Sequence, residues 1–377
     1  MTQTLEILDH LIAFPTVSSS SNLALIDYVQ DYLRARGFTV HRIADPTGDK
    51  AGLFARIGPE GAGVMLSGHS DVVPPDGQDW TRDPFKLTRE GDRMFGRGTT
   101  DMKGYVASML ALADRAATAD LREPLKLALS YDEEVGCVGI AHMIGELERT
   151  IGLPRLCFVG EPTNMQVAIG HKGKAAFKAR FHGIAGHSAL APNYLNALHM
   201  AADFVQGLRD MQSDLATNGA RDAAYGVPYS TVHVGKLQGG TALNIVPDTA
   251  DAVFEFRHIA EDDPATLRAR IDTIAAEIEA KFSGGRIEIA QTNAYPGLGT
   301  SATAEVTQIA QDCAGTQVTK VAFGTEAGFF DALGIQTVVC GPGDMASQGH
   351  KPDESIGVDE LAACDAFMDR VLARISG

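Results

Sequence analysis

Leu125-Lys126-Leu127-Ala128-Leu129-Ser130 leads through Tyr131 into Asp132-Glu133-Glu134-Val135-Gly136-Cys137. A short, largely apolar run bounded by turn residues reads as a buried strand. Three consecutive acids at the end of such a strand are not explained by a solvated face. The arrangement recurs outward in both directions. Val64 to Leu66 precedes Ser67-Gly68-His69-Ser70-Asp71-Val72-Val73-Pro74, and Leu156 to Val159 precedes Gly160-Glu161-Pro162-Thr163. Open α/β sheets place their sites at strand ends and in the loops beyond them.

Helical patterns lie between these strands. Leu5, Leu8, Leu11 and Ile12 form an apolar stripe that Pro15 ends, and Ile26, Val29 and Leu33 form another that stops at Gly37. Strand-like runs at 38–43 and 53–57 and helical segments near 104–117 and 139–149 complete an alternation that predicts an α/β sheet with helices on both faces. Near Gly173 the texture changes. Strand (174–184), helix (193–211), a loop at 212–229, strands (230–237 and 250–257) and helix (264–282) suggest a small α+β unit of ferredoxin-like type. After about residue 293 the first pattern resumes, through 318–321 and 337–340 to a closing helix at 358–375. The expectation is one α/β domain (1–173 and 293–377) interrupted by an inserted α+β domain (174–292).

A chain of 377 residues accommodates two domains. The N-terminus lacks a basic region followed by an apolar run, and no stretch approaches the roughly 20 apolar residues of a membrane span. Five scattered cysteines without a CxxC fit free thiols in a reducing cytoplasm. A net charge of −16 disfavours nucleic acid as a partner.

Two further segments carry candidate ligands. Gly96-Arg97-Gly98-Thr99-Thr100-Asp101-Met102-Lys103-Gly104 stands before a helix, and Gln348-Gly349-His350-Lys351-Pro352-Asp353-Glu354 near the C-terminus. The first could be a Gly-rich turn with a helix cap, but it fits neither GxGxxG nor GxxxxGK[ST], so a phosphate loop is disfavoured. His69-x-Asp71 on an extended chain allows Asp71 to accept a ring N–H of His69, as carboxylates do behind metal-bound imidazoles. Two carboxylates about 5 Å apart repel by roughly 3 kcal/mol at an effective dielectric near 20. Asp101, Glu133, Glu134 and Glu161 are therefore either dispersed or neutralised by divalent metals.

In this order, the five segments resemble the co-catalytic zinc aminoacylase and carboxypeptidase family, along essentially the whole chain. The resemblance implies a zinc-peptidase-like domain on a mixed sheet and an inserted dimerisation domain. It implies two zinc ions, with cobalt able to substitute. Asp101 would bridge them, His69 and Glu161 would complete one site, and Glu134 and His350 the other. Glu133 would be the general base, Asp71 would orient His69, and the Asp101–Met102 peptide would be cis. In the insertion, the matching His187 would come from the partner subunit of a homodimer to stabilise the oxyanion, and Asn244 and Arg257 would hold substrate. By itself His187 reads as a loop histidine, and a hinged insertion could also supply it in cis.

The implied activity is hydrolysis of the N-acyl amide of a small amino acid. Glu133 to Cys137 and Gly324-Thr325-Glu326-Ala327-Gly328 look like the branch acting on N-acetylornithine in arginine biosynthesis. N-succinyl-diaminopimelate, N-acetylcitrulline and a broader acyl-amino-acid range stand as alternatives. Glu326 either pairs with the substrate's side-chain ammonium or is an acid favoured in a helix first turn. A non-catalytic metal-binding scaffold is the reading from another class, and the retention of Glu133 with every ligand argues against it.

Overall fold

The computed structural model describes residues 2–377, which divide into two compact units. The first comprises the chain up to His171 together with Leu298–Val321 and Thr325–Gly377; the second comprises Lys172–Gly297 and Ala322–Gly324.

A nine-stranded mixed sheet organises the first unit. Its centre is parallel: Val64–His69 pairs with Leu125–Ser130 on one side and Leu156–Pro162 on the other, and Gln336–Gly341 continues beyond the latter. Thr39–Ala44 and Ala51–Ile57 close one edge in antiparallel fashion. Alternation along the strands separates two buried faces. Leu53, Ala55, Leu66, Leu127, Leu129, Phe158 and Val338 join one core with the helices Gln3–Ile12, Lys103–Ala116 and Val358–Ile375. Phe54, Met65, Ala128, Cys157, Val159 and Val339 are buried on the other, where Val138–Met143 and Leu147–Ile151 pack against Ala51–Ile57 and Ala327–Ala332 packs against Gln336–Gly341.

Lys103–Ala116 is the helix on which the site is built. All of its residues from Lys103 to Ala113 are buried, as befits a helix apolar around its whole circumference. It lies so close to the sheet that a Cβ on Gly160 would stand 2.1 Å from the Tyr105 ring, so only glycine fits one residue before Glu161.

The second unit is a four-stranded antiparallel sheet in the order Thr231–Gly239, Thr249–His258, Gly173–His182, Arg286–Tyr295, with helices Ala197–Asn218 and Pro264–Lys281. The chain order strand, helix, strand, strand, helix, strand matches the ferredoxin-like expectation. Its core holds Phe177, Phe181, Phe204, Phe254 and Phe256. The first helix starts at Ala197, after Asn196 caps the N–H groups of Leu198 and His199, and runs two turns into the segment expected to be a loop. Buried Met211 and Leu215 continue the stripe of Phe204 and Leu208, and that burial carries the helix onward.

Three short strands escape the sequence pattern. Thr88–Glu90, Arg93–Phe95 and Ser355–Gly357 form a small sheet that ties the Gly-rich loop to the C-terminal segment.

Candidate metal centre

His69 ends its strand, Glu161 is the penultimate residue of Leu156–Pro162, and Glu133 and Glu134 follow Leu125–Ser130. Asp101 stands two residues before the central helix, and His350 two residues after the short helix Met345–Gln348. All therefore lie at the C-terminal edge of the parallel strands or in the loops above it, and the side chains converge. Asp101 Oδ1 is 3.2 Å from His69 Nε2, and Asp101 Oδ2 is 3.2 Å from His350 Nε2. Glu161 Oε1 is 3.6 Å from His69 Nε2, and Glu134 Oε2 is 2.9 Å from His350 Nε2. Asp101 thus faces one histidine with each oxygen, and each histidine has a second acid. The Asp101–Met102 peptide is cis, as the resemblance implies.

Behind these groups the main chain is tied down. His69 Nδ1 lies 3.0 Å from the backbone oxygen of Asp71 and 3.4 Å from its carboxylate, so the carbonyl is the nearer acceptor. The Asp71 carboxylate accepts N–H bonds from Glu133 (3.0 Å) and Glu134 (3.3 Å) and an O–H bond from Ser18 (2.7 Å). Burial would raise its pKa, but these bonds and His69 outweigh burial and hold it below the usual range. Asp71 therefore fixes the direction in which both glutamates leave the turn.

Glu354 does the same for the Gly-rich loop. Its carboxylate accepts the N–H groups of Gly98, Thr100 and Asp101 at 2.8–3.0 Å and pairs with Arg97 at 2.8 Å, with both side chains 1% exposed. Sequence reasoning missed this role. Glu354 stands within the fifth segment, but a contact across 250 residues leaves no trace in local spacing.

The electrostatics call for cations. Burial, with repulsion from Asp101 and neighbouring glutamates, pushes Glu133 and Glu161 well above the usual carboxylate range and Glu134 up to about 7. The hydrogen bonds of Asp101 and Glu134 push His350 up to about 10. Burial works against protonation of His69, yet Glu161, Asp101 and Asp71 raise its pKa well above the ordinary imidazole value. Each histidine is thus drawn towards its cationic form by the acids around it, the mark of a site that demands positive charge. Glu134 Oε1 and Glu161 Oε1 are buried without a hydrogen-bond partner, a costly state that ligation removes. His69, Asp101 and Glu134 form one group, and His69, Glu133 and Glu161 another, each with ligand atoms within 4.8 Å of one another. Two histidines among carboxylates fit Zn²⁺ or a similar divalent metal.

Glu326 is near enough to the cluster to add to the repulsion that raises Glu133. It is 1% exposed and accepts a hydrogen bond from Ser130, the last residue of its strand, while burial pushes its pKa up to about 7. The remaining sequence-predicted residues belong to the second unit. His187 is exposed, and its Nδ1 accepts the N–H of Ala189. The pairing of Gly186–His187 with Ile245–Val246 sets it beside exposed Asn244, whose carbonyl accepts the N–H of Ser188. Arg257 is half-buried, 2.9 Å from Glu255 and 3.5 Å from the Tyr295 hydroxyl.

All five cysteines are free and buried, and among the described residues no helix is long and apolar enough to cross a membrane. The family model described as Peptidase family M20/M25/M40 matches residues 65–374. The chain is similar to the acetylornithine deacetylase of Myxococcus xanthus, at 34% identity over 98% of this chain and 97% of the relative. It is also similar to that of Pasteurella multocida, at 31% over 98% and 97%. Among solved structures it resembles an M20 family metallo-carboxypeptidase from Sulfolobus solfataricus, with a TM-score of 0.78 at 20% identity over 99% of each chain.

Proposed function

The chain belongs to peptidase family M20/M25/M40, and from that membership we propose that this metal-dependent amidohydrolase converts N-acetyl-L-ornithine to L-ornithine and acetate. One observation carries the chemistry: the two oxygens of Asp101 each face a different histidine, the disposition a carboxylate needs to bridge two cations. In this reading His69 and Glu161 complete one position and Glu134 and His350 the other, with zinc bound and cobalt able to replace it. Two divalent ions held by these residues would supply Lewis acidity, polarising the scissile carbonyl and making the attacking water easier to deprotonate.

Glu133 takes the proton of the attacking water and hands it to the departing amine. Glu134, its neighbour, lies 2.9 Å from His350 and serves as ligand. Asp71 holds both through their N–H groups and orients the His69 ring. His187 donates to the tetrahedral oxyanion, and Asn244 and Arg257 hold the substrate. Glu326, which accepts a hydrogen bond from Ser130, favours a substrate bearing a side-chain ammonium. The protein works as a homodimer through the inserted unit, with His187 crossing to the partner's site, in a cytoplasmic setting and without nucleic acid or membrane as partner.

N-acetyl-L-ornithine, N-acetyl-L-citrulline and N-succinyl-LL-diaminopimelate, assayed in parallel with zinc- or cobalt-loaded protein, test the proposal. The highest kcat/KM is expected for N-acetyl-L-ornithine. A preference for another of the three overturns the substrate, and two bound metals without any amide hydrolysis would favour a scaffold.

A further inference from the structure

The turn that carries Glu133 is closed by an unusual run of backbone conformations. Asp132, Gly136 and Cys137 have φ of 54°, 107° and 57°, all in the left-handed region. The carbonyl of Glu133 accepts the N–H groups of both Gly136 and Cys137 at 2.8 Å, and that of Asp132 accepts the N–H of Val138 at 3.0 Å. The chain therefore doubles back at the head of Val138–Met143 and brings Cys137 underneath Glu133.

Glycine meets a φ of 57° more easily than any residue with a β-carbon. A cysteine nevertheless occupies the position, 1% exposed, and its side chain has a partner. Cys137 Sγ lies 3.3 Å from Glu133 Oε1, a sound distance for a thiol donor. A buried thiol stays protonated near neutral pH, so sulfur donates and the carboxylate accepts. The Glu133 main chain is already held at two points, its N–H by Asp71 and its carbonyl by the turn. The thiol adds a hold on the carboxylate itself.

We infer that Cys137 is a positioning residue for the hydrolysis: by donating a hydrogen bond from its thiol to Oε1 it fixes the rotamer of Glu133 and leaves the second oxygen for the water to be activated. This rests on the reading of Glu133 as general base. The consequence is kinetic. A base that wanders between rotamers meets the water less often, while the ligands and the substrate contacts are unchanged.

Cys137→Gly, Cys137→Ala and Cys137→Ser in the metal-loaded enzyme separate this role from simple packing. The glycine variant suits the left-handed backbone yet lacks a donor, and the serine variant keeps one. Cys137→Gly and Cys137→Ala are expected to lose roughly tenfold in kcat with KM within about twofold and the metal content unchanged. Cys137→Ser is expected to recover most of the lost kcat. Wild-type kcat in the glycine and alanine variants overturns the inference, as does a serine variant no better than alanine. Glu133→Gln, measured alongside, tells the two failures apart. Turnover retained there removes the base assignment, whereas turnover lost there with Cys137→Gly fully active removes only the role of the thiol.

Discussion

The two units place their chemistry in opposite ways. In the first, the candidate ligands sit at the ends of buried strands and in the loops beyond them, and the side chains of His69, Asp101 and Glu161 are at most 3% exposed, although that of His350 is 50% exposed. In the second, His187 and Asn244 are exposed on a short strand pair, and the core beneath is aromatic and self-contained, with Phe177 stacked on Phe254 at 5.3 Å. The difference follows from electrostatic cost. Clustered acids are tolerable in a low-dielectric site only when cations share it, so the first unit needs bound metal to be at rest. Among the described residues the second unit buries no such cluster, and His187 and Asn244 lie at its surface. A unit that depends on metal and a unit that does not should therefore fail in different ways.

The largest effect expected is on turnover. Glu133→Gln should reduce kcat by roughly 10³- to 10⁴-fold with both metals retained, and His187→Ala by roughly 10²- to 10³-fold. Mixing the two inactive proteins tests whether the second unit serves its own site or a partner's. Donation across a dimer predicts recovery of one working site per mixed dimer, whereas donation in cis predicts no recovery at any ratio.

His350→Ala probes the first unit alone. It should weaken one metal position by more than the roughly 100-fold that even a change outside the ligand set can cause. Metal analysis and titration would then give one tightly held ion per chain instead of two. Unchanged stoichiometry and affinity would remove His350 from the ligand set.

The smallest effect concerns stability and pH. Burial raises the pKa of Glu326 in the folded chain from the ordinary 4.5 to about 7. Its contribution is therefore fully present below pH 4.5 and is lost as pH rises through 7, a change of up to about 3 kcal/mol. In chelator-treated protein, Glu326→Gln should flatten the fall in stability over that window relative to the parent. Parallel stability curves for the two proteins would show that Glu326 titrates normally.

The five motifs and the alternation that frames them are legible in the sequence because each depends on neighbours. An apolar strand announces its own burial, so an acid at its end is conspicuous, and a helix announces itself by its stripe. His187 carries no such mark, since an exposed loop histidine looks the same whatever it does. The ferredoxin-like order is likewise visible, but the helix Ala197–Asn218 starts four residues later than its pattern suggests and runs on past Met211, where Leu215 alone continues the buried stripe.

Other features exist only once the chain has folded. Residues 88–95 meet residues 355–357 in a small sheet, and Glu354 thereby reaches the N–H groups of Gly98, Thr100 and Asp101. Lys50 meets Asp132 at 2.6 Å, and Ser18 meets Asp71 at 2.7 Å. Sequence alone determined which residue types stand at the strand ends, because hydrophobic periodicity and strand burial are properties of short segments. The tertiary structure decided how those residues are aimed, because hydrogen bonds and ion pairs between distant segments depend on where the packed core brings them together.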